Sequence, residues 1–164
     1  MSVKAPQIML DTNVWLDVFV PGRAGSATAT RLVRSAIEAN ATLLYSARII
    51  TELFYEIRRD AAEWVRASAG SVPKEAARLC HDYAWSCIED LYQLAVAVGT
   101  DNADVQLALR YRTLSEDLDD NLMLTAAQRA DVDYLVTSDR ILLSKATVAA
   151  LAPQDMLTVL ETGL

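Results

Sequence analysis

Four acidic residues stand where an apolar strand or the start of a helix would deliver a carboxylate to one shared crevice. Asp11 ends the apolar run Ile8-Met9-Leu10, and Asp139 follows Tyr134-Leu135-Val136-Thr137-Ser138. Glu52 and Asp120 fall near the starts of helical patterns. In an open α/β sheet the C-terminal ends of the strands border the ligand crevice, so segments far apart in sequence can meet there. Clustered oxygen donors of this kind suit Mg2+ or Mn2+, which take a few carboxylates and keep several waters. Two such ions can activate a water and stabilise the leaving oxygen in an in-line attack on a phosphodiester. Each residue also has a plainer reading. Asp11 can cap a helix, Glu52 can be a solvated helix residue, and Asp139 can end a turn. Asp117, Asp119 and Asp120 compete within one charge run, which before a helix favours its dipole. The order strand–Asp, helix–Glu, helix–Asp, strand–Asp favours the shared site.

The elements that must position these groups follow from periodicity. Val3 to Leu10 lacks alternation and reads as a fully buried first strand. After the loop Pro21 to Gly25, residues Ser26 to Ala39 place Ala29, Leu32, Val33, Ala36 and Ile37 on one helical face. Thr42 to Tyr45 reads as a second strand, with Ser46 as N-cap of a helix from Ala47 to about Ala69. Pro73 suits the first turn of another helix, Lys74 to Leu91, whose one side carries Ala77, Cys80, Tyr83, Ala84, Cys87, Ile88 and Leu91. Gln93 to Val98 reads as a third strand, Asn102 to Tyr111 as a short helix, and the acidic loop Ser115 to Asp120 leads into a helix through Gln128. Tyr134 to Thr137 is a fourth strand, followed by a helix near Leu142 to Ala150 and a strand or helix at Met156 to Leu160. Strands alternating with helices imply a parallel sheet covered on both faces.

The chain has 164 residues, 52% of them apolar and 23% charged, which predicts one folded domain over 1–164. No apolar run reaches the length of a membrane span. Met1 to Gln7 lacks a long apolar stretch, so no secretory signal is expected and the expected location is the cytoplasm. The net charge of −7 argues against non-specific nucleic-acid binding through a broad basic face. It is compatible with clustered carboxylates at a metal site, whose ions would reverse the local sign, and with a basic partner. Cys80 and Cys87 lie two helical turns apart, too far for a disulfide within the helix. With His81 the only histidine, a Cys/His zinc site lacks ligands.

Leu10-Asp11-Thr12-Asn13, Glu52 in Ile-Thr-Glu-Leu, Asp120 in Asp-Asn-Leu-Met-Leu-Thr-Ala-Ala, and Leu135-Val136-Thr137-Ser138-Asp139 together resemble the PIN domain. The resemblance covers nearly the whole chain and is closest to the VapC-type toxins of toxin–antitoxin pairs. It implies a three-layer α/β/α fold with a short central parallel sheet of four to five strands. It also implies an Mg2+- or Mn2+-dependent endoribonuclease that prefers single strands, often a homodimer, held inactive by an antitoxin. By position, Asp11, Glu52, Asp120 and Asp139 match the family's acidic quartet, and Asn13 and Thr137 match polar positions that support it. The spacing from Asp120 to Asp139 is about one residue longer than usual for the family, which keeps Asp119 in reserve as the third acid. The segment from Glu63 to Tyr92, with Trp64, Tyr83 and Trp85, matches poorly and reads as core packing or as a partner groove. Arg48, Arg58 and Arg59 flank Glu52 and can steer phosphates or form solvated ion pairs. A non-catalytic PIN-like module that binds RNA or protein is the alternative. An aspartyl phosphatase would want a second Asp at position 13, and a receiver domain an acidic pair after the first strand; neither is present.

Overall fold

Three consecutive side chains, Ile8, Met9 and Leu10, are wholly buried, so their strand is covered on both faces and lies at the centre of its sheet. The computed structural model describes residues 5–163. That strand, β1 (Gln7–Leu10), pairs in parallel with β2 (Thr42–Ser46) on one side and β4 (Tyr134–Val136) on the other. β3 (Val96–Val98) extends the sheet beyond β2, and β5 (Ala150–Leu151) beyond β4, giving the order β3-β2-β1-β4-β5. The chain moves outward from β1 to β3, then returns across β1 to β4. The direction therefore switches between β1 and β4, where open sheets of this type hold ligands.

Helices α1 (Thr12–Phe19) and α2 (Ser26–Glu38) connect β1 to β2, and α3 (Ile49–Ala69) and α4 (Lys74–Leu94) connect β2 to β3. α5 (Asn102–Arg110) and α6 (Leu118–Arg129) lead back to β4. α7 (Arg140–Lys145) joins β4 to β5, and α8 (Pro153–Thr162) follows, packing on α2. Right-handed crossovers put α1 to α4 on one face and α5 to α7 on the other. The result is a three-layer α/β/α fold, with Trp15, Leu32, Leu53, Ile57, Leu91, Leu124 and Leu135 among its fully buried side chains.

Several boundaries differ from the sequence reading. The first strand begins at Gln7 rather than Val3, and residues 1–4 lie outside the described part. The stretch Thr12 to Phe19 is a helix of only eight residues, too short for its period to stand out beside the apolar run of β1. Ser46 ends β2 instead of capping α3, whose N-cap position is Arg48 and has no side-chain cap. Gln93 and Leu94 belong to α4, leaving only three residues to β3. The helix expected to reach Ala150 stops at Lys145, and the last segment, read as strand or helix, is helical.

On α4 the buried stripe is Cys80, Ala84, Cys87 and Leu91, all but the last small, which lets α4 lie close on α3. Trp64, Tyr83 and Trp85, read as core packing or as a partner groove, are exposed, which overturns the core reading. Cys80 and Cys87 are free, buried thiols.

Two polar ties join elements outside the sheet. Asp17 of α1 accepts from Arg23 Nε at 2.7 Å, and Arg23 also reaches Asp60 of α3 at 3.4 Å. A Cβ added at Gly25 would overlap the Asp17 carboxyl, which cannot swing aside without leaving Arg23. Gly25→Ala is therefore expected to cost about 1–2 kcal/mol as an overpacked site. Denaturant unfolding measures this, and an unshifted midpoint would mean the α1–α2 connection yields freely.

In the second tie, Asp104, in the first turn of α5, is almost fully buried. It accepts from the Asp101 backbone at 2.9 Å and from Arg129 Nε through both oxygens, at 3.1 and 3.2 Å. Arg129 also donates to the Gly99 carbonyl, so one guanidinium links α6, α5 and the end of β3. Burial works to raise the Asp104 pKa, but the bonds from Arg129 and Asp101 overcome it and hold the carboxyl below its ordinary range.

Candidate functional site

Because β1, β2 and β4 run parallel and adjacent, their C-terminal ends open into one cleft of about 610 Å3. Asp11, Asn13, Ser46, Glu52, Asp119, Asp120 and Asp139 all line it, and so do Arg48, Tyr55 and Asp117. Thr137 stands just behind, fully buried.

Asp11 follows β1 directly, and its backbone N–H donates to the Val136 carbonyl of β4 at 3.0 Å. Its carboxylate accepts three bonds: from the Thr12 backbone at 2.6 Å, from Asn13 Nδ2 at 3.0 Å and from Thr137 Oγ1 at 2.7 Å. Asp11 thus does cap α1, and that cap takes one of its two oxygens. Burial pushes its carboxyl above the ordinary range against these three bonds, and the charge of Asp139 adds to the rise. Asn13 turns its Oδ1 to the Ser138 backbone at 3.3 Å, and Thr137 Oγ1 accepts from the Asp139 backbone at 3.0 Å. These two polar side chains tie the loop after β1 to the loop after β4.

Asp139 accepts from the backbone of Ile141 at 2.6 Å and of Leu142 at 3.2 Å, through Oδ1 alone, as N-cap of α7. On α6, Asp117 is the N-cap, accepting from Asp119 and Asp120 backbone groups, so those two acids sit in the first helical turn rather than in a loop. They diverge from there. Asp120 accepts from Ser115 Oγ at 3.0 Å, and burial raises its pKa, helped by the charges of Asp117, Asp139 and Asp11. Asp119 is exposed and pairs with Arg48 across the cleft mouth. Glu52, in the first turn of α3, is exposed as a residue while its carboxyl faces the cleft. Partial burial and the charges of Asp119, Glu56, Asp11 and Asp117 push its pKa up.

Among the described residues, no group of three or more Asp, Glu, His or Cys side chains closes to the spacing of a complete metal site. The donor chemistry does fit Mg2+ or Mn2+, since the cleft offers carboxylate and hydroxyl oxygens and neither His nor Cys. Ions of this class keep several waters, so direct ligation by three protein groups is not required. Ser46 Oγ, 1% exposed on the cleft wall, has no hydrogen-bond partner among the described residues and adds a further oxygen. Sequence reasoning assigned Ser46 to a cap and did not single out Tyr55 or Ser115. The Ser115-x-Asp117 spacing before the α6 acids was the available signal for Ser115.

The family model for the PIN domain matches residues 7–141. Among solved structures the chain is similar to VapBC2 from Rickettsia felis, determined bound to a DNA fragment from its promoter. The TM-score is 0.63 at 14% identity, over 89% of this chain and 98% of that one. No curated protein sequence matches the chain.

Proposed function

This chain belongs to the PIN-domain family, and we propose from that premise that it is a metal-dependent endoribonuclease acting on single-stranded RNA, the toxin of a toxin–antitoxin pair. The observation that carries this reading is the meeting of Asp11, Glu52, Asp120 and Asp139 in one cleft at the switch point of the sheet. These four carboxylates would hold Mg2+ or Mn2+, with Asn13 and Thr137 orienting Asp11 and Asp119 at the rim. Bound there, the metal would polarise the phosphodiester and lower the pKa of the attacking water. The protein's own share is to fix the carboxylates in place. Thr137 and Asn13 pin Asp11, and Ser115 pins Asp120. One of these carboxylates would also receive the proton of that water.

The likeness to a VapBC2 complex supports an antitoxin partner, and the acidic cleft would match a basic segment of it. A homodimer in the cytoplasm, built from one domain per chain, belongs to the same reading.

Purified protein is expected to cut a labelled single-stranded RNA with Mn2+ and to leave it intact with EDTA. Mn2+ alone should also raise the thermal midpoint, because a ligand at a hundredfold its Kd stabilises by about 2.7 kcal/mol. A folded protein that shows neither effect would end the metal-site reading. A thermal shift without cutting, across several RNAs, would favour the non-catalytic binding module.

A further inference from the structure

The cleft has a problem to solve. Six carboxylates (Asp11, Glu52, Asp117, Asp119, Asp120 and Asp139) border it, and among the described residues its one lining cation, Arg48, is tied to Asp119. A polyanion drawn across such a rim must be gripped from outside it. We infer that Tyr55 and Arg58 form a nucleotide subsite beside the cleft, where one base of a single-stranded RNA stacks on the Tyr55 ring and a flanking phosphate meets the Arg58 guanidinium. The inference rests on the nuclease reading and specifies how the substrate is held.

Arg48, Glu52, Tyr55 and Arg59 recur at intervals of four, three and four along α3, which puts them on one ridge of the helix. The helical rise separates Glu52 from Tyr55 by about 4.5 Å along the axis. Tyr55 is a wall of the carboxylate cleft and also of a second depression, of about 390 Å3, that Arg58 and Arg59 line with it. It is the residue the two hollows share.

Its ring is exposed yet supported. Tyr55 is 56% exposed, so it adds little to the core, but it sits edge-on to Phe54 with centroids 5.4 Å apart. Phe54 in turn is braced edge-on by His81 at 5.4 Å and Trp85 at 5.2 Å. The Arg58 guanidinium lies over the Tyr55 ring, 5.5 Å from its centroid, so a base would stack on the face that Arg58 does not cover. Arg59 is taken up by Glu56 and Asp60, whereas Arg58 forms no ion pair among the described residues and is the cation left for a phosphate. A supported aromatic ring paired with a guanidinium that no carboxylate neutralises among the described residues is how sequence-tolerant single-strand sites bind, by stacking and by charge.

Steady-state cleavage of a short single-stranded RNA tests this. Tyr55→Ala should raise KM about ten- to hundredfold with kcat nearly unchanged and an unaltered thermal midpoint, while Tyr55→Phe and Tyr55→Trp stay near wild type. Removing the stacked base from the RNA, by scanning an abasic site along it, should reproduce that loss in wild type at one position and add nothing in Tyr55→Ala. Arg58→Ala should raise KM and flatten its salt dependence. If wild type cuts RNA and Tyr55→Ala keeps the same KM, as it would were the ring a docking point for a partner protein, the subsite is wrong and the nuclease reading stands. If wild type cuts no RNA, the nuclease reading fails and the subsite fails with it.

Discussion

Asp11→Asn is expected to remove cleavage and to lower stability, whereas Asp120→Asn removes cleavage while leaving the fold as stable as before or more so. Groups that merely support a metal ligand cost about 10- to 100-fold when changed, so loss of a ligating carboxylate should cost at least about a hundredfold. The two differ in what each oxygen does for the fold. Asp11 accepts bonds through both oxygens, from Thr12 at one and from Asn13 and Thr137 at the other. An asparagine has one acceptor oxygen, so its amide must face an N–H or O–H donor on one side. That mismatch costs about 1–3 kcal/mol, reduced by relief from burying a charge near Asp139. Asp120 accepts one side-chain bond, from Ser115, which the asparagine oxygen can keep, and the substitution removes repulsion from Asp117, Asp139 and Asp11. Initial rates with Mn2+ and thermal melts without metal separate the two effects. An Asp11→Asn protein that cuts as fast as wild type would reduce Asp11 to a helix cap.

Arg129→Ala should be the most damaging loss of a charged side chain outside the cleft. It leaves the Asp104 carboxylate buried with only the Asp101 N–H, and it frees the Gly99 carbonyl. Breaking a fully buried pair costs about 3–5 kcal/mol. Because the Arg129 side chain is 42% exposed, about 2–4 kcal/mol is the expected loss. The pH dependence supplies the check. In wild type the Asp104 pKa is lowered, so its stabilisation is complete above the unfolded carboxylate pKa and is lost as pH falls through the folded value. Without Arg129, burial raises that pKa, and protonation relieves the mutant as pH falls. The gap between mutant and wild type should therefore narrow in acid. A gap constant from neutral pH to about pH 3 would show that Arg129 acts by packing alone.

Much of this architecture can be read from residue order, because a buried parallel strand announces itself as an apolar run and an acid placed after it must lie at a sheet edge. Asp11 after Leu10 and Asp139 after Val136 are of this kind. Short or wholly buried elements resist such reading. α1 is about two turns long, too short to declare a period, and the two residues of β5 carry no period at all. At Gln93 and Leu94 an apolar stretch straddles a helix end and a strand start, and composition does not mark the boundary. In the cleft, motif spacing brings forward the acids but not their surroundings. That Arg48 reaches Asp119, or that Ser46 Oγ lies buried without a hydrogen-bond partner among the described residues, depends on β1 lying between β2 and β4, which no local pattern states.

The bond from Thr137 to Asp11 spans 126 positions of the chain. A ribosome delivers Asp11 early and Thr137 late, so the nascent chain carries its first carboxylate for most of synthesis with that supporting hydroxyl still unmade. β1 must also wait for β4 before its second edge is paired. Such long-range closure is slow to form and comes late. A chain that stops before β4 would carry the acid without the clamp.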